Sequence, residues 1–402
     1  MKQEAQALKL IERIVATQAE FAGIRRDLHA HPELRFEETR TADQVAACLT
    51  RLGIEVHRGL GKTGVVGTIR AGTSQRAIGL RADMDALPLQ ERNEFAHRSR
   101  HDGRMHACGH DGHTAMLLAA ARHLVETRQF NGVVHLIFQP AEEGGGGARE
   151  MMRDGLFELF SCEAVFGMHN WPGMAVGQFG VTAGPMMASS NEFEITVRGR
   201  GGHAAMPHQT VDPIMAAMAI GQGLQSLITR NKKPVDTAVL SITQIHAGDA
   251  YNIIPDEAVL RGTVRTFSTA VLDQIETGLS RVANHTAEAF GASASIRFLR
   301  NYPPLVNTEV ETRFCVDVLR DMAGPAQVFD RIEPTMGAED FAFMLEKKPG
   351  CYVFIGNGEG DHRMPGHGAG PCMLHNPSYD FNDALIPIGA SYWVRLAEAW
   401  LK

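Results

Sequence analysis

An α/β fold, with a mostly parallel central sheet flanked by helices and an inserted ferredoxin-like α+β domain, is what this 402-residue sequence predicts. Three observations carry that expectation. Up to about residue 184, short and nearly continuous apolar runs alternate with helical periodicity, as strands covered on both faces by crossover helices do. From Asn191 the strands instead alternate apolar and polar residues, and their order with the helices is βαββαβ. From about Tyr302 the first pattern returns. The chain is therefore divided into 1–184 and 301–402, two parts of one domain, with 185–300 inserted between them. A chain of this length exceeds the usual reach of a single core.

Residues 5–28 carry Leu8, Ile11, Val15, Ala19 and Ala22 at helical spacing, and Pro32 interrupts the pattern. His29 and His31, two apart at that helix end, are read as polar contacts and left out of the site. A second helix, 37–52, stops at Gly53. Two strands follow, GVVGTIR at 64–70 and AIGLR at 77–81, the latter delivering Asp83 and Asp85 to its end. Either aspartate can ligate, orient a ligand or satisfy turn amides. Next, HACGHDGHTAMLL crowds His106, Cys108, His110 and His113 into eight residues, and Gly109 and Gly112 let the segment bend so that Cys108 and His110 face one ion. Asp111 reads as the N-cap of a helix running to 127.

The run GVVHLIF at 132–138 reads as a buried strand that delivers QPAEEGGGGA. Neighbouring side chains on extended backbone point to opposite sides, so one of Glu142 and Glu143 can bind metal while the other addresses a nearby water. A helix at 148–156 leads to the strand EAVFGM at 163–168, which ends in His169. Cys108, His110, Glu143 and His169 are thus expected to follow apolar segments that a parallel sheet places side by side. The insertion reads as strand 191–198, the loop GRGGHAAMPH, helix 211–229, strands 235–246 and 258–266, helix 270–290 and strand 293–299. After it come helix 309–322, the turn MGAEDFAFM, strand 351–355, a loop holding His362, His367 and His375, and helix 383–401.

Apolar residues at 44% and charged residues at 21% describe a globular protein, and a net charge of −7 gives no reason to expect nucleic acid or an anionic membrane as partner. Small molecules suit it better. Six cysteines, at 48, 108, 162, 315, 351 and 372, are too scattered for a disulfide framework, which points to a reducing cytoplasm. The N-terminal stretch lacks the apolar core and cleavage site of a signal peptide, and no stretch reaches membrane-spanning length.

RRDLHAHPEL, RADMDALP, HACGHDGH, QPAEEG, MHN, GRGGHAAMPH, NIIPD, GTVR, MGAEDF and LHNP occur in that order along nearly the whole chain. With them the sequence resembles the dimetal aminoacylase and carboxypeptidase superfamily, in the branch of hippurate hydrolases, bacterial N-acyl-amino-acid amidohydrolases and plant auxin-conjugate hydrolases. The resemblance implies a catalytic domain binding two divalent metals and an inserted lid that also mediates dimerisation. It places the metal ligands on Cys108, His110, Glu143, His169 and His375, with Cys108 as the bridge, and the general base on Glu142. Where the wider superfamily has a ligating histidine two residues before the strand-end aspartate, this chain has Arg81 before Asp83. That departure moves one ligand role to His110, as in this branch, and leaves Asp83 at most touching ligands rather than ions. The lid motifs imply that His203, Asn252 and Arg265 bind the substrate carboxylate or polarise its scissile carbonyl, His203 often from the partner subunit.

The implied reaction is hydrolysis of the amide bond of N-acyl amino acids, of N-benzoyl or N-acetyl type, to a carboxylic acid and a free amino acid. A divalent pair lowers the pKa of a bound water from about 15.7 towards 7, and Glu142 takes its proton and hands one to the leaving amine. Thiolate and imidazole suit zinc, cobalt or nickel, and the carboxylate admits manganese. The implied partners are a small N-acyl amino acid and a second copy of the chain. A dipeptidase or carboxypeptidase acting on short peptides is the competing enzyme, separated by its products. A noncatalytic metal-dependent binding protein would lack a base, and Glu142 is present. A redox protein built on Cys108 would want a CxxC partner, which the sequence lacks.

Overall fold

The apolar runs at 64–70, 77–81, 132–138 and 163–168 all become strands of one sheet in the computed structural model, which describes residues 8–363 and 372–402. In chain order the first part contributes α1 (Glu12–Ala16), α2 (Gln18–Ala30), α3 (Thr39–Arg51), β1 (Glu55–Leu60), β2 (Gly64–Ala71), β3 (Ala77–Asp83), α4 (His110–Thr127), β4 (Gly132–Gln139), α5 (Gly147–Arg153), α6 (Leu156–Leu159), β5 (Ala164–Trp171) and β6 (Phe179–Gly180). Then come β7 (Gly184–Met187), β8 (Ser190–Arg198), β9 (Gly202–His203), α7 (Pro213–Ser226), β10 (Ala238–His246), β11 (Ile253–Ile254), β12 (Glu257–Thr266), α8 (Thr269–Ala289) and β13 (Ser293–Tyr302). The chain closes with β14 (Leu305–Asn307), α9 (Glu309–Ala323), β15 (Val328–Phe329), α10 (Ala342–Leu345), β16 (Gly350–Gly356) and α11 (Leu385–Trp400).

Two compact units result. The first spans Met1–Gly184, Val306–Glu333 and Phe343–Lys402, and the second spans Pro185–Leu305 and Pro334–Ala342. The boundaries thus differ from 185–300 in two ways: the second unit runs on to Leu305, and a short segment carrying Glu339 and Asp340 from the MGAEDF motif joins it.

The first unit holds an eight-stranded sheet ordered β1-β2-β4-β3-β5-β16-β6-β15. Its middle strands β4, β3, β5 and β16 run parallel. Apart from Trp171 they are buried along their whole length, which is why they read as apolar runs rather than as alternation. Antiparallel partners flank them, β2 beside β4 and β6 beside β16. The core that α4 and α11 share with the sheet includes Leu117, Phe138, Phe166 and Trp393.

Two expected helices are corrected. Of the helix expected over 5–28, residues 5–7 lie outside the described residues, residues 8–11 are not helical, and the rest is two helices broken at Thr17, whose hydroxyl donates to Ile14 O at 3.0 Å and competes with the helical ladder. Asp111 is not the N-cap of α4. Gly109 takes that place with φ +91°, and Asp111 is buried in the first turn.

The second unit is a four-stranded antiparallel sheet ordered β10-β12-β8-β13 with α7 and α8 packed on it. Burial alternates along β8 and β12, and the inward residues Ile195, Val197 and Leu260 meet Ile220 and Leu279 of the helices. This is the expected βαββαβ order. Among the described residues no helix is long and apolar enough to cross a membrane.

Candidate metal centre

The parallel strands of the first unit end on one side, where the chain delivers polar groups that have no place inside the sheet. Asp83 is the last residue of β3, and His169 lies near the end of β5. After β4 the chain turns sharply. Ala141 sits at φ +54°, its N–H donating to Glu38 Oε1 at 2.8 Å, so that Glu142 and Glu143 follow directly. Gly147 closes this turn beneath Pro140 O, where any Cβ would collide with the carbonyl. Cys108 and His110 do not follow a strand, contrary to expectation: they precede and begin α4. His375 comes from the loop after β16, at φ +65°, with its N–H bonded to Ala107 O at 2.8 Å.

These groups converge. The ligand atoms of Cys108, His110 and His169 lie within 4.8 Å of one another, and so do those of Cys108, Glu143 and His375 and those of His110, Glu142 and Glu143. Cys108 Sγ is 3.3 Å from His169 Nε2, and His375 Nε2 is 3.1 Å from Glu143 Oε1. Asn170 O can only accept, so His169 Nδ1 donates to it at 2.7 Å and the Nε2 lone pair of the neutral ring faces the sulfur.

The donor set fits divalent cations. His110 Nε2 is buried with no aligned hydrogen-bond partner, which is costly unless something else satisfies it. Burial lowers the pKa of His110, but Asp83 and Asp85 outweigh it and raise the imidazole to about 10, so the pocket favours a positive charge. Burial likewise works against the Glu143 carboxylate, and His375 and His110 nevertheless hold it below its ordinary value. Cys108 is pushed well up, by burial and then by Glu143 and Glu142, and His169 well down, by burial and by His113. A coordinated cation reverses the Cys108 shift, because it deprotonates the thiol.

Behind the donors runs a buried hydrogen-bonded chain. Arg81 Nη1 donates to Asp83 Oδ2 at 2.7 Å, and Asp83 Oδ1 holds His113 Nδ1 at 2.6 Å. His113 Nε2 accepts the Asn170 N–H at 3.0 Å. Asn170 Nδ2 donates to Cys108 O, and its Oδ1 accepts from Tyr379 Oη, both at 2.7 Å. Arg81 is thus paired with Asp83. The sequence reading left His113 without a role and missed Asn170 and Tyr379, although both sit in or beside quoted motifs, MHN and LHNP.

His29 is buried, bonded to Asp111 Oδ2 at 2.9 Å and Glu91 Oε1 at 3.1 Å. Burial disfavours its charge, but these two carboxylates raise it to about 9. His106 is buried and pushed down to about 4, burial being the largest cause. His362 bonds to Asp380 O at 3.1 Å, and His367 lies outside the described residues.

His203, Asn252 and Arg265, expected from the sequence to bind substrate, lie in the second unit. His203 pairs with Ile253 across β9 and β11, and Asn252 O accepts the Ala204 N–H at 3.0 Å, so these two histidine and asparagine segments are neighbours. Both residues are exposed. Arg265 stands on β12 opposite Val239, half-buried, with its pKa lowered by burial.

The model of peptidase family M20/M25/M40 matches residues 79–399. A hippurate hydrolase of Campylobacter jejuni is 42% identical over 395 residues, covering 98% of this chain and 100% of that protein. An N-acetyl-L-cysteine deacetylase of Bacillus subtilis is 40% identical over 375 residues, covering 92% and 86% respectively. A crystal structure of a Bacillus subtilis dinuclear metal binding peptidase from the M20 family superposes with a TM-score of 0.83 at 35% identity, covering 96% of this chain and 99% of that one.

Proposed function

The chain belongs to peptidase family M20/M25/M40, and from that premise we propose that it is a dinuclear metallo-amidohydrolase of hippurate hydrolase or aminoacylase type. It cleaves the amide bond of N-benzoyl or N-acetyl amino acids, releasing a carboxylic acid and a free amino acid. One observation carries the reading: two three-donor groups, Cys108 with His110 and His169 and Cys108 with Glu143 and His375, share a single sulfur. Such an arrangement suits a pair of ions bridged by Cys108. The names of the hippurate hydrolase and N-acetyl-L-cysteine deacetylase relatives support the substrate class.

The residues that hold the ions are Cys108, His110, Glu143, His169 and His375. Zinc or manganese fits this mixed sulfur, nitrogen and oxygen set, and cobalt or nickel are alternatives. When bound, the ions supply Lewis acidity, which makes water acidic enough to react near neutral pH and polarises the carbonyl. Glu142, only 7% exposed, takes a proton from the attacking water and delivers one to the departing amine. In the lid, Arg265 offers a planar fork to the substrate carboxylate, with His203 and Asn252 binding the carboxylate or the scissile carbonyl. The lid also joins two copies into a homodimer, and six free cysteines suit a reducing cytoplasm.

The test is a hydrolysis screen of N-benzoyl and N-acetyl amino acids against dipeptides, after chelation and restoration with zinc, manganese, cobalt or nickel. Release of amino acid from the acyl conjugates, dependent on the restored ion, is the expected result. Cleavage of dipeptides alone would make the enzyme a dipeptidase. In the same assay Glu142→Gln is expected to retain its metal and to lose turnover by about 10²–10⁴-fold. Undiminished turnover with metal confirmed would remove Glu142 from this role.

A further inference from the structure

The end of α4 away from the proposed ligands borders a cleft of about 610 Å³, between the start of α1 and the last turns of α4 and α11. His110 begins α4, and His123, which lines this cleft, is about 20 Å further along the same helix. The lining residues all belong to the first unit, and none is a proposed metal ligand.

Three buried polar atoms of that lining have no hydrogen-bond partner among the described residues: His123 Nδ1, Arg395 Nε and Glu398 Oε1. His123 is only 8% exposed, so an unmatched ring nitrogen is costly there. Burial and then Arg13 lower its pKa against the pull of Glu126, which keeps the ring neutral at pH 7, with one donor and one acceptor nitrogen. Arg395 is already held in place, with Nη2 donating to Lys9 O at 2.8 Å and Nη1 3.8 Å from Asp321 Oδ2, and its Nε is left over. Burial raises the Glu398 pKa although Arg395 opposes it, so a charged donor would relieve that carboxylate. Glu12 and Arg13, both exposed, add one charge of each sign.

Both signs of charge thus share one cleft, which suits neither a simple anion nor a simple cation. α4 and α11 also end here, and helix C-termini favour a positive group. Arg13, His123 and Glu126 line a second cleft as well, of about 230 Å³, whose walls include Ala16 and Ala119. We infer that the two clefts form a second small-molecule site, for a free α-amino acid with an apolar side chain. The ammonium meets Glu398, the carboxylate meets Arg395 Nε and Arg13, and the side chain enters the smaller cleft. The site goes beyond the proposed reaction and does not depend on the metal centre.

Equilibrium dialysis of the metal-loaded protein against labelled leucine tests this, alongside Arg13→Met, Glu398→Gln and His110→Ala. Leucine is expected to bind wild type and His110→Ala alike, and each cleft variant about tenfold or more weakly, with the melting temperature in the absence of leucine unchanged. Should Glu398→Gln melt lower, Arg13→Met, at an exposed residue, decides alone. Glycine, isocaproate and isopentylamine lack the apolar side chain, the ammonium and the carboxylate in turn, and each is expected to bind wild type about tenfold more weakly than leucine does. Any of the three binding as tightly as leucine would overturn the amino-acid assignment. Leucine binding that is lost in His110→Ala but kept in both cleft variants would put the ligand at the metal centre and sink the second site. So would the lack of saturable binding at millimolar leucine.

Discussion

Glu38 shows how one side chain is taxed by the site it supports. Its Oε1 accepts from Phe36 N–H at 3.0 Å and Ala141 N–H at 2.8 Å, and its Oε2 from the Thr63 hydroxyl at 2.6 Å. Those bonds favour the carboxylate, but burial and the nearby Asp85 charge outweigh them and push the group from 4.5 to about 7. Between those values the folded protein holds a proton that the unfolded chain has released. The resulting stability is complete below about pH 4.5 and is lost as pH rises to about 7. A shift of this size corresponds to about 3 kcal/mol. Glu38→Gln cannot titrate, so the variant should gain on wild type as pH is raised from 5 to 8 in urea unfolding of the metal-stripped proteins. A difference that stays constant with pH would show that Glu38 ionises normally. In the second unit, Arg265→Ala is expected to raise KM about tenfold or more for substrates with a free carboxylate. KM for their amidated counterparts should scarcely change, and equal losses on both would give Arg265 another contact.

The start of α4 is the element on which the most constraints meet. Gly109 caps it at φ +91°, and a Cβ there would run into the Asn170 amide and the Tyr379 hydroxyl, the pair that ties β5 and the 375–379 loop to Cys108 O. Gly109→Ala therefore imposes both a left-handed backbone penalty of about 1–2 kcal/mol and overpacking of about 1–3 kcal/mol. We expect a loss of several kcal/mol in chemical denaturation, together with weakened zinc binding, because Cys108 moves with the cap. Unchanged stability would mean that Asn170 and Tyr379 give way freely. This element also marks how far a sequence can be read. The density of cysteine and histidine in HACGHDGH is local chemistry, so donor residues that the structure brings together were visible in it. Which aspartate serves which histidine was not. Asp83 and Asp85 are two residues apart on the same strand end, and only the approach of α4 and of the turn after β4 assigns one to His113 and the other to His110. Thr17 and Asp111 misled for a related reason: side-chain hydrogen bonds, to Ile14 O and from His29, decided against the local propensity.

For the whole molecule, the division of labour between two separately cored units is the main consequence of the insertion. All five proposed ligands belong to the first unit, and the second keeps its apolar core free of them. The surface of the second unit is less self-sufficient. β10 is the last strand of its sheet, with one edge unpaired among the described residues, and beside it Met218 of α7 and Ile245 of β10 are 51% and 58% exposed. Exposed apolar side chains next to an open strand edge are a liability for a monomer, and a second copy presenting the same edge and helix removes it by a two-fold contact. We therefore expect sedimentation at micromolar concentration to give twice the mass of one chain. Met218→Glu combined with Ile245→Lys, which puts charge on this face without touching the inward core of the unit, should shift the protein to the mass of one chain while far-ultraviolet dichroism stays unchanged. If His203 acts on the partner's substrate, the monomeric variant also loses turnover but keeps its metal, and mixing a His203→Ala chain with a Glu142→Gln chain, each inactive alone, then yields hybrid dimers with activity. A double variant that sediments as a dimer would move the contact elsewhere on the molecule. A monomeric wild type with full turnover would leave His203 acting within its own chain.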